Sequence, residues 1–184
     1  DAYDRIVKIS YASGKKDSHA YNKLKVKSTI DGVESTKVYD ASGEVIRITD
    51  ASGSITYNLR ADGQPESIVA PGDITTSFEY DKYGRQTAIV DPSAGTKKYE
   101  YDVYGNINKE TDARGKVTNL KYDKYGRPEQ KEIVGEFSTT YKYNADNLIE
   151  SEISTNGTAK SYTYDNLLRL KTLKESIVDG KWLE

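Results

Sequence analysis

The sequence predicts an all-β protein: an elongated, twisted or curling antiparallel sheet of tandem β-hairpin repeats, each about 21 residues long. Three observations lead to this prediction. Tyrosine recurs at a fixed interval, glycine recurs about every ten residues, and aromatic residues alternate with polar ones between the glycines. Alternation with period two is typical of strands, and glycine at this frequency would break a helix repeatedly.

A column of tyrosines defines the repeat. Its members are Tyr39, Tyr80, Tyr101, Tyr122, Tyr143 and Tyr164, and the last five follow one another at intervals of 21 residues. In a continuous antiparallel sheet, such a column places aromatic side chains in neighbouring repeats on one face. Cross-strand aromatic pairs contribute roughly 0.2 to 1 kcal/mol each. We therefore interpret the column as a structural tyrosine ladder.

Aspartate and glycine mark the first turn of each hairpin. The clearest turn residues are Asp81 with Gly84, Asp102 with Gly105, and Asp123 with Gly126. Aspartate accepts hydrogen bonds from nearby backbone amides, and glycine supplies the positive φ that tight turns require. Because the same residues occur in every copy, they favour turn capping over paired catalytic carboxylates, which a glycosidase would need only once. A second turn closes each repeat, as in "DASG" at 50–53 and "DARG" at 112–115.

The regularity of the pattern divides the chain in two. Residues 1–36 are predicted to form an irregular N-terminal segment with degenerate repeats, indicated by Tyr3-Asp4, Gly14 and Tyr21. Residues 37–184 are predicted to carry the tandem repeats, with the best register over 78–170. Each repeat alone should be unstable, since repeat arrays derive their stability from contacts between neighbours.

Composition excludes several classes of function. The 184 residues contain 27 Lys and Arg against 29 Asp and Glu, so there is no general electrostatic reason to bind nucleic acid. No cysteine is present and His19 is the only histidine, so thiolate metal sites, multi-histidine metal sites and cysteine nucleophiles are excluded. No apolar run approaches the ~18 residues of a membrane span. We expect no cofactor, no metal and no enzymatic activity.

The turn motifs resemble a known repeat. "YDVYGN" at 101–106 and "YDKYGR" at 122–127 resemble the YD repeat of the RHS family, and "YDNLLRL" at 164–170 resembles the same signature with Leu168 in the glycine place. The resemblance covers 39–170. It implies part of a YD-repeat shell, in which a long sheet spirals round a cavity, as in bacterial RHS and wall-associated proteins, the related components of insecticidal Tc toxin complexes, and the teneurins. In the bacterial toxins, this cavity holds a C-terminal toxic domain.

The resemblance implies a non-enzymatic structural segment of a bacterial RHS/YD-repeat protein, whose sheet helps to enclose or display a C-terminal domain such as a toxin. The expected partners are the remaining repeats and the enclosed domain of the parent protein. Because an open sheet has unpaired backbone at its ends, edge-to-edge self-association is also expected. The expected location is extracellular or at a bacterial cell surface, with the targeting signal outside this fragment. The alternative is an extracellular carbohydrate-binding or adhesion module that uses the tyrosine-lined face to bind glycans.

Overall fold

The computed structural model describes residues 1–177 in full and the backbone of 181–183. The end of the predicted 37–184 region, namely residues 178–180 and 184, lies outside the described residues. In the described part of the chain, all regular secondary structure is β-strand. Contacts divide the chain into two compact units, Asp1–Gly95 and Thr96–Glu184.

The first unit contains nine strands, each antiparallel to the next. They are β1 (Lys8–Ser10), β2 (Lys16–Asn22), β3 (Lys25–Ile30), β4 (Val33–Tyr39), β5 (Val45–Asp50), β6 (Gly53–Leu59), β7 (Pro65–Ala70), β8 (Ile74–Tyr80) and β9 (Gln86–Asp91). The first three strands lie in the predicted irregular segment 1–36. The predicted boundary between 36 and 37 stays a prediction.

The second unit repeats the same antiparallel order from β10, whose first residue is the last of the first unit. Its strands are β10 (Gly95–Tyr101), β11 (Ile107–Thr111), β12 (Val117–Tyr122), β13 (Pro128–Ile133), β14 (Phe137–Tyr143), β15 (Ile149–Ser154), β16 (Ala159–Tyr164), β17 (Leu170–Ile177) and β18 (Lys181–Leu183). The predicted all-β class, with an antiparallel sheet of tandem hairpins, is confirmed.

A β-bulge recurs at one position of the repeat. The strand register shifts between Glu79 and Tyr80 in the first unit, and between Lys121 and Tyr122 in the second. The same shift precedes Tyr39, Leu59, Tyr101, Tyr143 and Tyr164. The ladder position is thus the last strand residue before each first turn. The extra residue lies on the strand that follows the turn, as Thr87 does between Gln86 and Ala88, and such a bulge increases the local twist.

The residues opposite the aromatic side chains vary along the chain. In the first unit, Tyr57 pairs with Ile68 and Phe78 pairs with Ile89. In the second unit, Tyr99 pairs with Glu110, and Tyr141 pairs with Glu152. Among the described residues only Ala88 is a buried hydrophobic residue, and no large side chain is fully buried. Each unit therefore depends on half-buried side chains on the faces of its sheet and not on a closed core.

The turns at the two ends of the strands differ in regularity. At one end seven turns share a five-residue geometry, while the turn between Asn22 and Lys25 has only two residues. At the other end they vary, from the two-residue turn of Asp31 and Gly32, both with positive φ, to the five residues 112–116, whose backbone bonds match that same geometry. One glycine at this end is required by its neighbour, because a Cβ at Gly53 would lie 2.8 Å from the Cγ of Pro71.

Candidate functional site

One turn geometry recurs along one end of the strands, and we call these segments the repeat turns. They are residues 40–44, 60–64, 81–85, 102–106, 123–127, 144–148 and 165–169. In the turn 81–85, the amide of Asp81 donates to the carbonyl of Arg85 at 2.9 Å, and the amide of Gly84 donates to the carbonyl of Asp81 at 3.0 Å. The same two backbone bonds occur in every repeat turn.

The first residue of most repeat turns also caps the turn with its side chain. Asp81 Oδ1 accepts from the amides of Tyr83 at 2.8 Å and Arg85 at 3.0 Å. Matching pairs of bonds reach Asp40, Asp102, Asp123, Asn144 and Asp165. In 60–64 this place holds Arg60, so that turn keeps the backbone bonds without the cap. Satisfying two turn amides from one carboxylate is the local chemistry expected of aspartate.

The fourth residue of each repeat turn has positive φ. Gly84, Gly105 and Gly126 have φ of 79°, 93° and 77°, and Leu168 adopts 61° in the same place. Leu168 therefore keeps the repeat-turn geometry although the left-handed region is unfavourable for a side chain with a Cβ.

In three of the repeat turns, an arginine at the fifth position links the turn to its own cap. Arg127 donates from Nε to Asp123 Oδ2 at 2.7 Å, and its Nη2 lies 2.6 Å from the same oxygen. Equivalent ion pairs join Arg85 to Asp81 and Arg169 to Asp165. Arg127 also reaches the following repeat, since its Nη1 donates to Asn147 Oδ1 at 2.8 Å.

The first five residues form one more turn of this kind. Tyr3 and Arg5 donate their amides to Asp1 Oδ1 at 3.0 and 3.2 Å, and Arg5 Nε donates to Asp1 Oδ2 at 2.8 Å. Asp4 has φ of 56°, which is the conformation of the glycine place. Tyr3-Asp4 is thus not a degenerate copy of the Tyr-Asp pair; it is the third and fourth position of a turn that begins at Asp1. The sequence alone misses this because Asp4 stands where glycine is expected.

Four of the ladder tyrosines connect their repeat to the preceding one. The hydroxyl of Tyr80 donates to the carbonyl of Pro65 at 2.7 Å, and that of Tyr122 donates to the carbonyl of Ile107 at 2.8 Å. The same bond runs from Tyr143 to Pro128 and from Tyr164 to Ile149. Tyr21 donates in the same way to Ile6, again 15 residues earlier. Each acceptor is the residue immediately after the preceding turn.

A second set of tyrosines lies at the tips of the repeat turns and is exposed. Tyr83, Tyr104 and Tyr125 are 71%, 88% and 67% exposed, whereas the ladder tyrosines are half-buried. The turn tyrosines lie outside the column that the sequence predicts as a ladder. Their position within Tyr-Asp-x-Tyr-Gly is the signal that separates them, since the first tyrosine ends a strand and the second stands in the turn.

Hydrogen bonds lower the pKa of the turn carboxylates. Desolvation would raise the pKa of Asp81 and Asp123, but bonds from Arg85 and Arg127 outweigh it and lower the pKa. The bond from the Asn106 side chain lowers the pKa of Asp102. On the ladder, desolvation followed by the charges of Asp102 and Glu110 raises the pKa of Tyr122. The turn aspartates are therefore ionised and the Tyr122 hydroxyl is a proton donor at neutral pH.

A separate polar contact lies on the aromatic face of the second unit. The hydroxyl of Tyr162 donates to Glu152 Oε1 at 2.7 Å, and burial together with this carboxylate raises the pKa of Tyr162 to about 12. In the described residues, no group of three or more acidic or histidine side chains could hold a metal ion. The described part of the chain also has no helix long and apolar enough to cross a membrane.

The hairpins, bulges and repeat turns define a protein built from tandem β-hairpin repeats. The family model described as "RHS Repeat" matches residues 61–96 and 84–117. No curated protein matches the chain in sequence. Residues 61–117 are therefore similar in sequence to the RHS repeat, in agreement with the resemblance of the turn motifs to the YD repeat.

Two crystal structures share the fold over almost the whole chain. The structure of TcdB2-TccC3 matches with a TM-score of 0.77 at 16% sequence identity. That of TcdB2-TccC3-Cdc42 matches with a TM-score of 0.76 at 15% identity. Each match covers 96% of this chain and 11% of the other, so the chain spans about a tenth of the length of these relatives.

Proposed function

We propose that this chain is a non-enzymatic structural segment of a bacterial RHS/YD-repeat protein, and that its sheet is part of a shell wall enclosing or displaying a C-terminal domain. The tyrosine hydroxyl bonds carry this proposal. Each bond joins one repeat to the backbone of the preceding repeat, so the side chain that recurs most regularly serves the assembly of the sheet. The fold shared with TcdB2-TccC3 supports the same role.

Under this proposal the recurring residues have structural roles. The ladder tyrosines hold consecutive repeats together, and the aspartates and glycines of the repeat turns set where each hairpin reverses. The Tyr80 hydroxyl already donates to Pro65, and Asp81 already accepts three bonds within its own turn. Such side chains are committed to internal contacts and are poorly placed for chemistry on a substrate.

The shell proposal is tested on the full-length parent protein. Limited proteolysis with mass spectrometry should leave an enclosed C-terminal domain uncut while the shell is intact, and expose it once the shell is opened by heat or denaturant. Equal cleavage of that domain in the intact and the opened protein would reject enclosure. In that case the shell wall would display the C-terminal domain without enclosing it.

A second candidate function is glycan binding at an extracellular or bacterial cell-surface location. The exposed turn tyrosines favour it, since Tyr104 and Tyr125 present ring surface at positions one repeat apart. The contact surface differs from the tyrosine-lined face expected from the sequence, because ladder tyrosines are half-buried and bonded. A glycan array should show binding that is lost in Tyr104→Ala and Tyr125→Ala and kept in Tyr164→Phe. The absence of binding to every glycan would remove this candidate.

A further inference from the structure

We propose that the cavity between the repeat turns 102–106 and 123–127 binds a guanidinium group, supplied by an arginine side chain of a polypeptide partner. The cavity measures about 400 Å³ and is lined by Asp102, Tyr104, Asn106, Tyr122, Asp123 and Lys124. This inference is independent of the shell role. It rests on how the other repeats of the same chain cover the equivalent tyrosine ring.

In three other repeats, an internal arginine lies over the corresponding tyrosine ring. The guanidinium carbon of Arg127 lies 4.1 Å from the centroid of the Tyr143 ring, and that of Arg5 lies 4.2 Å from the Tyr21 ring. Both arginines occupy the fifth position of a turn, 16 residues before the tyrosine that they cover. A guanidinium over an aromatic face is a favourable cation–π arrangement.

A third repeat supplies the cation from another position. The fifth residue of the turn 60–64 is the neutral Gln64, whose amide nitrogen donates to the carbonyl of Gly84 at 3.1 Å. Arg60, at the first position of the same turn, instead places its guanidinium carbon 4.6 Å from the centroid of the Tyr80 ring. The ladder ring therefore takes a guanidinium by two different routes within one chain.

For the Tyr122 ring, the position that holds arginine in the repeats of Arg5 and Arg127 is occupied by a short neutral side chain. The residue 16 positions before Tyr122 is Asn106, and its Nδ2 donates to Asp102 Oδ2 at 3.0 Å within its own turn. The amide is too short to extend across the ring as arginine does. Asn106 and Tyr122 both line the cavity, so it lies between the two positions that a guanidinium bridges in the repeats of Arg5 and Arg127.

The cavity has the chemistry that a guanidinium requires. The hydroxyl of Tyr122 is fixed by its bond to the carbonyl of Ile107, which holds the ring in place as one wall. Carboxylates of Asp102 and Asp123 line the same space, and the Lys124 ammonium lies over the Tyr125 ring, 4.9 Å from its centroid. A planar guanidinium can stack on a ring while donating to carboxylates at its edge, whereas an ammonium acts as a point charge.

The first experiment uses the whole chain with carbon-13-labelled tyrosine rings and NMR. We expect N-acetyl-arginine amide to shift the Tyr122 ring signals in a saturable manner. N-acetyl-citrulline amide, which has a similar shape without the charge, should bind at least about tenfold more weakly. Equal shifts with citrulline, or no saturable shift with the arginine probe, would overturn the proposal.

Two variants test the location. Asn106→Arg supplies an internal guanidinium and should abolish the Tyr122 response. Arg127→Asn removes the guanidinium over Tyr143 and should create a second responding ring, so a gain of binding tests the same geometry. A Tyr122 response unchanged in Asn106→Arg contradicts the site, as does the lack of a Tyr143 response in folded Arg127→Asn.

A separate experiment tests whether the guanidinium belongs to a polypeptide or to a small molecule. A hexapeptide containing one arginine should bind more tightly than N-acetyl-arginine amide, because a polypeptide partner contacts the exposed Tyr104 at the rim as well. The same peptide with citrulline in place of arginine is its control. Equal affinities of the arginine peptide and the capped amino acid would overturn the polypeptide assignment and leave a small guanidinium compound as the ligand.

Discussion

The guanidinium carbon of Arg127 lies 4.1 Å from the centroid of the Tyr143 ring, which belongs to the next repeat. The same guanidinium forms the ion pair with Asp123 in its own turn and donates to Asn147 in the following one. One side chain thereby closes its own turn and attaches the next.

Arg127→Lys should lower the free energy of unfolding by about 1 kcal/mol, because an ammonium cannot pair with the carboxylate through two nitrogens while stacking on a ring. Arg169→Lys is the matched control. Its side chain is 72% exposed, so an ion pair there contributes little. Urea unfolding of both variants checks the prediction, and equal losses at the two sites would contradict it.

Tyr80→Phe should lower the free energy of unfolding by about 0.5 to 1.5 kcal/mol, since it leaves the carbonyl of Pro65 without its hydroxyl donor. Tyr83→Phe, at the exposed tip of the adjoining turn, should change it by less than about 0.5 kcal/mol. Chemical denaturation measures both. A loss in Tyr83→Phe as large as that in Tyr80→Phe would contradict a special role for ladder hydroxyls.

Leu168→Gly should raise the free energy of unfolding by about 1 kcal/mol, because it relieves a left-handed conformation that costs a residue with a Cβ roughly 1 to 2 kcal/mol. The reverse change, Gly126→Ala, should be destabilising by a similar amount. A Cβ at Gly126 would meet no atom within 4 Å, so its cost reports the backbone alone. Thermal unfolding of Leu168→Gly and Gly126→Ala measures both changes. A destabilised Leu168→Gly would show that the leucine side chain contributes more to stability than its left-handed backbone costs.

Acid should destabilise the protein through the turn aspartates. The folded-state pKa of Asp81, Asp102, Asp123 and Asp165 is lowered. Below about pH 4 the unfolded chain therefore binds more protons than the folded one, and stability falls as pH falls through the folded pKa values. The contribution is fully present above the unfolded pKa. Unfolding free energies between pH 7 and pH 2 measure this, and Asp123→Asn should show a shallower acid slope than the wild type.

Asn144 shows that the turn itself tolerates the amide used in that variant. Its Oδ1 accepts from the amides of Asp146 and Leu148, as an aspartate would. Asp123→Asn should thus remain folded at neutral pH. An acid slope identical to that of the wild type would reject the contribution of the Asp123 carboxylate.

The isolated chain should self-associate through unpaired strand edges as concentration rises. Light scattering across a concentration series would show an increasing mean mass. A proline whose missing amide faces the open edge blocks such pairing, so Ser10→Pro in the three-residue strand β1 should reduce association, since the amides of the neighbouring residues Ile9 and Tyr11 face β2. A mass that stays monomeric at every concentration would contradict the prediction.

The sequence was sufficient for the strands and turns because the repeat forces many positions to agree. An alternation of aromatic and polar residues between glycines leaves little choice of secondary structure, and the spacing of Tyr80 and Tyr101 fixes the register. The tolerance of the Leu168 turn was not predictable from residue type, since the surrounding bonds hold a backbone that leucine alone disfavours. Consistency among neighbours overrides local preference there.

The side-chain environment could not be predicted from the sequence to the same extent. Tyr122 and Tyr125 are three residues apart, yet one hydroxyl bonds to a preceding repeat and the other side chain is exposed. Which arginine covers which ring depends on contacts between residues 16 or 20 positions apart in sequence, such as Arg127 with Tyr143 and Arg60 with Tyr80. Such contacts require three-dimensional positions, so the uncovered place beside Asn106 emerges only from the fold.

The bonds from four ladder hydroxyls reach back 15 residues, to the repeat immediately before. Each of these hairpins consequently contains the tyrosine that attaches it to the hairpin before it. Duplicating or deleting a whole 21-residue block in the gene would lengthen or shorten the protein while every remaining block keeps an identical set of neighbours. The number of repeats in such a protein can therefore change during evolution. A substitution in one repeat weakens only its contacts with the repeats on either side of it.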